Sequence, residues 1–133
     1  MKVELAERAG YLLVLLLFLI ALLHTYWALG GRWGLQTAIG EGSPFPHPFL
    51  IWAVVVALMA AVLTVLGRIG WWSRGIPFWL FRVGIWALVV VLVGAALINF
   101  GGKSRWDRFV FGPIALFLAL LAVIVARYTP ERG

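Results

Sequence analysis

Residues 49–66 run for eighteen positions without a charge, and Thr64 is the sole polar side chain among them. Comparable apolar stretches cover residues 9–29, 77–100 and 107–127. Eighteen residues of helix span roughly 27 Å, close to the hydrocarbon thickness of a bilayer. Within lipid a backbone satisfies its own polar groups only as a helix or a closed barrel. Barrel strands alternate apolar and polar residues, whereas residues 11–23 and 49–63 are apolar all round, so four transmembrane helices are predicted. The fold class is all-α, a single four-helix bundle domain over residues 1–133 with a long first loop at 30–48.

Small residues mark the faces expected to pack. Ala53, Ala57 and Ala61 form a ridge on span two, and Ala115 with Ala119, then Ala122 with Ala126, do so on span four. Such ridges let helix backbones approach closely. Pro113 lies inside span four and predicts a kink there. The first loop ends in Ser43-Pro44-Phe45-Pro46-His47-Pro48, whose prolines exclude a helix and suggest a lid folded across the bundle mouth. Gly30-Gly31-Arg32-Trp33 after span one echoes Gly101-Gly102-Lys103-Ser104-Arg105-Trp106 after span three, the pattern of a duplicated hairpin.

Composition agrees with the pattern: 64% of the 133 residues are hydrophobic and 12% charged, against about a quarter charged in soluble proteins. No appended catalytic module is expected. The absence of cysteine excludes thiol chemistry and cysteine metal sites. The net charge of +6 is carried by cations scattered singly around apolar spans, which is not a nucleic-acid stripe. Glu4 and Glu7 oppose the positive start of a signal peptide, so span one is expected to be retained.

An even number of spans puts both termini on one side. That side carries Lys2, Arg8, Arg68, Arg74, Arg82, Arg127 and Arg132, and the other Arg32, Lys103, Arg105 and Arg108. Seven against four predicts cytoplasmic termini in a multi-pass protein of a bacterial inner membrane. Trp27, Trp33, Trp52 and Trp106 at one interface, and Trp71, Trp72 and Trp79 at the other, are expected to anchor the bundle at headgroup level.

His24 is the polar residue that asks most for an explanation. It lies six positions before Gly30, roughly 9 Å below the helix end, where an ionisable group needs a partner. The readings are a neutral imidazole bonded to another helix, a haem or metal ligand, a proton-transfer group, or a donor to a ligand. Zinc takes three or four donors, and the chain offers only His24, His47 and a few carboxylates, so no metal site is assigned. At the same end Tyr26, Trp27, Arg32, Trp33, Asn99, Arg105, Trp106 and Asp107 are expected to gather into an aromatic and polar cluster. Ser104 and Asp107 fit a capping box, and Asp107 alternatively pairs with Arg32 or Arg105. Arg82 is expected to snorkel to the headgroups. No acid lies at the centre of a span, which argues against a proton-coupled exporter.

The string His24-Thr25-Tyr26-Trp27-Ala28-Leu29-Gly30-Gly31-Arg32-Trp33-Gly34, with Arg105-Trp106-Asp107 and then Gly112-Pro113, resembles the bacterial four-span family catalogued as domain of unknown function 3995. The likeness covers nearly the whole chain. Span three departs from the family pattern, with Ala96-Leu97-Ile98-Asn99-Phe100-Gly101 where an Arg-x-x-Gly segment is usual. The resemblance implies the architecture and the choice of end residues, not an activity. The leading reading is an accessory protein whose outward-facing pocket binds a lipid-like ligand or a partner membrane protein; membrane lipids, a partner membrane protein or a second copy of the chain are the expected partners. The rivals are an intramembrane enzyme acting on an isoprenoid or phospholipid, with His24 as acid or base, and a haem or quinone carrier.

Overall fold

The computed structural model describes residues 2–35, 47–72, 75–102, 105 and 107–129. Among the described residues four helices are long and apolar enough to cross a membrane. They are α1 (Lys2–Ala28), α2 (Pro48–Arg68), α3 (Phe78–Phe100) and the run Arg108–Tyr128, in which a π-helical turn at Asp107–Phe111 leads without a break into α4 (Gly112–Tyr128). Each helix neighbours the next in sequence, and α4 closes the ring against α1. The hairpins α1–α2 and α3–α4 share the most extensive contacts. Lys2 holds its ammonium 5.8 Å from the centre of the Tyr128 ring, so both ends of the described chain lie on one face.

Three spans end within two residues of the apolar pattern. The fourth, α1, begins seven positions earlier than residue 9, because Lys2 to Arg8 continue the helix with charged side chains that hydropathy cannot count. One of those positions faces inward: Ala6 is 1% exposed.

The core is one apolar column, with Leu13, Leu17, Val65, Ile85 and Val125 as its largest fully buried side chains. The alanine ridge of α4 packs as expected, since Ala115, Ala119, Ala122 and Ala126 are all buried. Of the ridge of α2 only Ala61 packs against the core. Ala53 and Ala57 are exposed, and α2 makes its close approaches at glycine instead. Phe81 of α3 lies directly on Gly67, and Thr64 on Gly84.

Pro113 is the second residue of α4 and lies inside the helical run that begins at Asp107. The disturbance expected of it takes the form of the π-helical turn just before it, one of the local adjustments by which membrane helices accommodate proline. The echo between the two glycine turns is not reproduced in the backbone: Gly30 takes φ 105°, the left-handed region, whereas the C-cap Gly101 takes φ −83°.

Candidate functional site

The end of α1 is shaped by a buried indole. Trp27 is 8% exposed and packs with Leu35 and Ile51 in a small cluster of its own. Its Nε1–H donates to the carbonyl of Trp33 at 2.8 Å, which folds the chain after α1 back over the helix end. Gly30 in the left-handed region allows that reversal, and Gly31 lets the Tyr26 ring lie against the backbone. Trp27 is thus a core residue, not an interface anchor. Trp33, Trp52, Trp71 and Trp79 are exposed, as anchors should be. Trp72 is half-buried, its Nε1–H donating to the Leu63 carbonyl at 2.9 Å.

His24 sits one turn before Trp27. Its Nδ1 lies 2.8 Å from the carbonyl of Ile20 in the same helix, and a carbonyl only accepts, so Nδ1 carries the proton. Its partner is therefore its own helix, not another one. The ring meets Trp27 edge-on, centroids 4.9 Å apart at 66°. In the neutral ring this tautomer leaves the lone pair on Nε2. Asn99 behaves likewise, its Nδ2 donating to Ala95 at 2.7 Å. Both side chains continue the inward stripes of their helices, His24 seven residues after Leu17 and Asn99 three after Ala96, and both are half-buried.

Beside this polar level a groove of about 250 Å³ opens between the end of α1 and the start of α2. Trp27, Ala28, Gly31, Leu35, Pro48 and Ile51 give it apolar walls, and Arg32 lines it as well. Of the residues expected to gather here, Trp27 and Arg32 line the groove. Tyr26 covers Gly31, and Trp33 contributes its carbonyl to the reversal. Arg105 is exposed, and Asp107 opens the π-helical turn against α3 and α4. Ser104, Trp106 and the side chain of Asp107 lie outside the described residues, as do residues 43–46 of the proline-rich tail. His47 caps α2, its Nδ1 accepting from the Phe49 amide at 3.1 Å. Among the described residues no group of three or more His, Asp or Glu side chains is placed to hold a metal ion.

Sequence reasoning missed Leu35, which reaches the groove because the chain turns back over Trp27, and Pro48 and Ile51, which reach it because α2 packs beside α1. A family model described as "Protein of unknown function (DUF3995)" matches residues 17–122. The chain belongs to this family. The matched stretch runs from the middle of α1 into α4, so it takes in the groove, His24 and Asn99. No curated protein and no solved structure matches the chain.

The residue of this DUF3995 protein that most departs from sequence expectation is Arg68. It counts there as one of the surface cations, yet it is 3% exposed. Its Nη2 donates to the carbonyls of Ala126 at 3.0 Å and Thr129 at 3.1 Å, the C-terminal end of α4. Its guanidinium carbon lies 4.8 Å from the centre of the Phe78 ring. A cation is stabilised at a helix C-terminus, where unsatisfied carbonyls concentrate negative potential. No sequence signal separates Arg68 from Arg74, because the partner carbonyls are about sixty residues away in the chain and meet it only through topology.

Proposed function

We propose that this small multi-pass membrane protein binds the apolar part of a lipid-like ligand in the groove beside Trp27, and serves as a binding or accessory protein. The observation that carries the reading is the groove itself: apolar walls, a position at the mouth of the bundle, and about 250 Å³ of space. That is just below the roughly 300–1,000 Å³ of sites that enclose whole ligands. It suits a segment of hydrocarbon chain whose remainder stays in the bilayer. Indole and aliphatic walls favour such a segment by burial alone.

The test is lipid retention through detergent exchange, read by native mass spectrometry. Ala28→Trp fills the groove from the last residue of α1, while Val90→Trp adds the same ring to a 70% exposed, lipid-facing position of α3. Retained lipid should be lost in the first variant and kept in the second. Equal retention in both would overturn the reading.

A second reading has one specific observation in its favour. The bond from His24 Nδ1 to Ile20 orients the ring and leaves Nε2 as acceptor, the form needed of a base or of a ligand to a cofactor. On this reading the site acts on, or carries, a group at the level of His24. A visible absorption spectrum tests for haem, and turnover of extracted isoprenoids or phospholipids tests for an enzyme. His24→Gln should abolish either signal.

A further inference from the structure

The two histidines of the chain use the same ring atom in opposite ways. His24 Nδ1 faces a carbonyl, that of Ile20, so it carries a proton and donates. His47 Nδ1 faces an amide, the N–H of Phe49, so it carries none and accepts. An imidazolium holds a proton on both ring nitrogens. Protonation therefore leaves the bond of His24 intact and breaks that of His47.

What His47 holds is the first turn of α2. Pro48, at the first helical position, has no N–H; the His47 side chain accepts from Phe49, and its carbonyl accepts from Leu50 at 2.9 Å. Packing does little for this turn. Phe49 and Leu50 are 71% and 57% exposed, and Ile51 alone is buried, in the cluster with Trp27 and Leu35. A positive charge on His47 would also sit at the positive end of the helix. Among the described residues, α1 presents His24 and Tyr26 at this end, and Arg32 after it lines the groove together with Pro48. The last turns of α3 carry Asn99 and no titratable group. Arg105 and Arg108 are exposed ahead of α4, and Asp107 opens the π-helical turn against α3 and α4.

We infer that His47 is a pH-sensitive cap. Neutral, it fastens the first turn of α2; protonated, it releases that turn and with it Pro48 and Ile51, the residues that α2 contributes to the groove. The sign follows from the bond: the cap is complete above the range in which histidine titrates and is lost as pH falls through it. The effect on the groove rests on the lipid reading above, whereas the cap itself does not.

Two readouts in nanodiscs test the cap without any ligand. In protein carrying isotope-labelled histidine, the imidazole nitrogen shifts at about pH 8 assign the tautomers, and neutral His47 should hold its proton on Nε2. A proton on Nδ1 overturns the cap. Hydrogen exchange of the Phe49 amide, corrected for the intrinsic effect of pH, should lose protection by about 3- to 30-fold between about pH 8 and about pH 5, the factor by which losing an N-cap weakens a helix end. In His47→Asn the side-chain oxygen caps the helix at either pH, so protection should stay level. His24→Gln should keep the native response. Equal protection at both pH values in the native chain overturns the cap, as does a response that persists in His47→Asn or vanishes in His24→Gln. Retained lipid should fall with protection in the native chain and hold in His47→Asn. Lipid that stays bound while protection is lost would refute the groove reading and leave the cap standing.

Discussion

Replacing Gly67 by alanine sets two well-known effects against each other. In a helix interior alanine is favoured over glycine by about 1 kcal/mol, an upper bound for Gly67, the last residue but one of α2. At Gly67, however, a Cβ would fall within the ring of Phe81, which is itself 5% exposed. The ring cannot simply retreat. The Trp72 indole packs edge-on against it, centroids 5.3 Å apart and planes at 83°, and that indole is held by its bond to the Leu63 carbonyl. Overpacking a close-fitted site costs about 1–3 kcal/mol, and a rigid ring with a rigid backing belongs at the upper end. The difference predicts a destabilisation of about 2 kcal/mol for Gly67→Ala.

Gly94 supplies the control, because a Cβ there meets nothing within 4 Å. Gly94→Ala should therefore stabilise by about 1 kcal/mol. Equilibrium unfolding in mixed detergent micelles, followed by far-ultraviolet circular dichroism and tryptophan fluorescence, measures both. Opposite signs are expected. If Gly67→Ala stabilises as Gly94→Ala does, then Phe81 does not pack on Gly67 and the account of the α2–α3 contact is wrong. Phe81→Leu combined with Gly67→Ala should cost less than the sum of the two changes, since they share one clash.

The two alanine ridges should separate in the same assay. Ala122→Leu, at a 0% exposed position, is expected to lose about 3 kcal/mol, while Ala57→Leu on the exposed side of α2 stays within about 0.5 kcal/mol. His24→Leu removes a bond made within one helix and should cost no more than about 1 kcal/mol. A loss of about 3 kcal/mol or more would show that the imidazole ties two helices together.

Much of the architecture is readable in the amino acids because a bilayer imposes few solutions. A stretch such as residues 49–66 has to be a helix, four such stretches place both ends of the chain on one face, and the small residues of span four face a neighbour. What faces inward on the other helices is not written in polarity. A helix that is apolar all round gives its inner and outer sides the same composition, so Ala53 and Ala57 look like a packing ridge and in fact face outward. The same blindness makes Trp27 resemble the exposed anchors Trp33 and Trp52. Its burial follows from a chain reversal at Gly30 and Gly31 that brings Leu35 onto the indole, and from the packing of α2 beside α1, which brings Ile51 there.

The sequence alone therefore determined the number and type of the helices. It also marked His24, though not the carbonyl that holds it. The tertiary structure decided the rest: that the groove lies between α1 and α2, that Pro113 acts through a π-helical turn, and that Arg68 is buried at the end of α4. The physical reason is that helix formation in lipid is dictated locally, by backbone hydrogen bonding and side-chain apolarity. The partner of a given face is set by close fit between surfaces of equal polarity, and that fit exists only once the helices have come together.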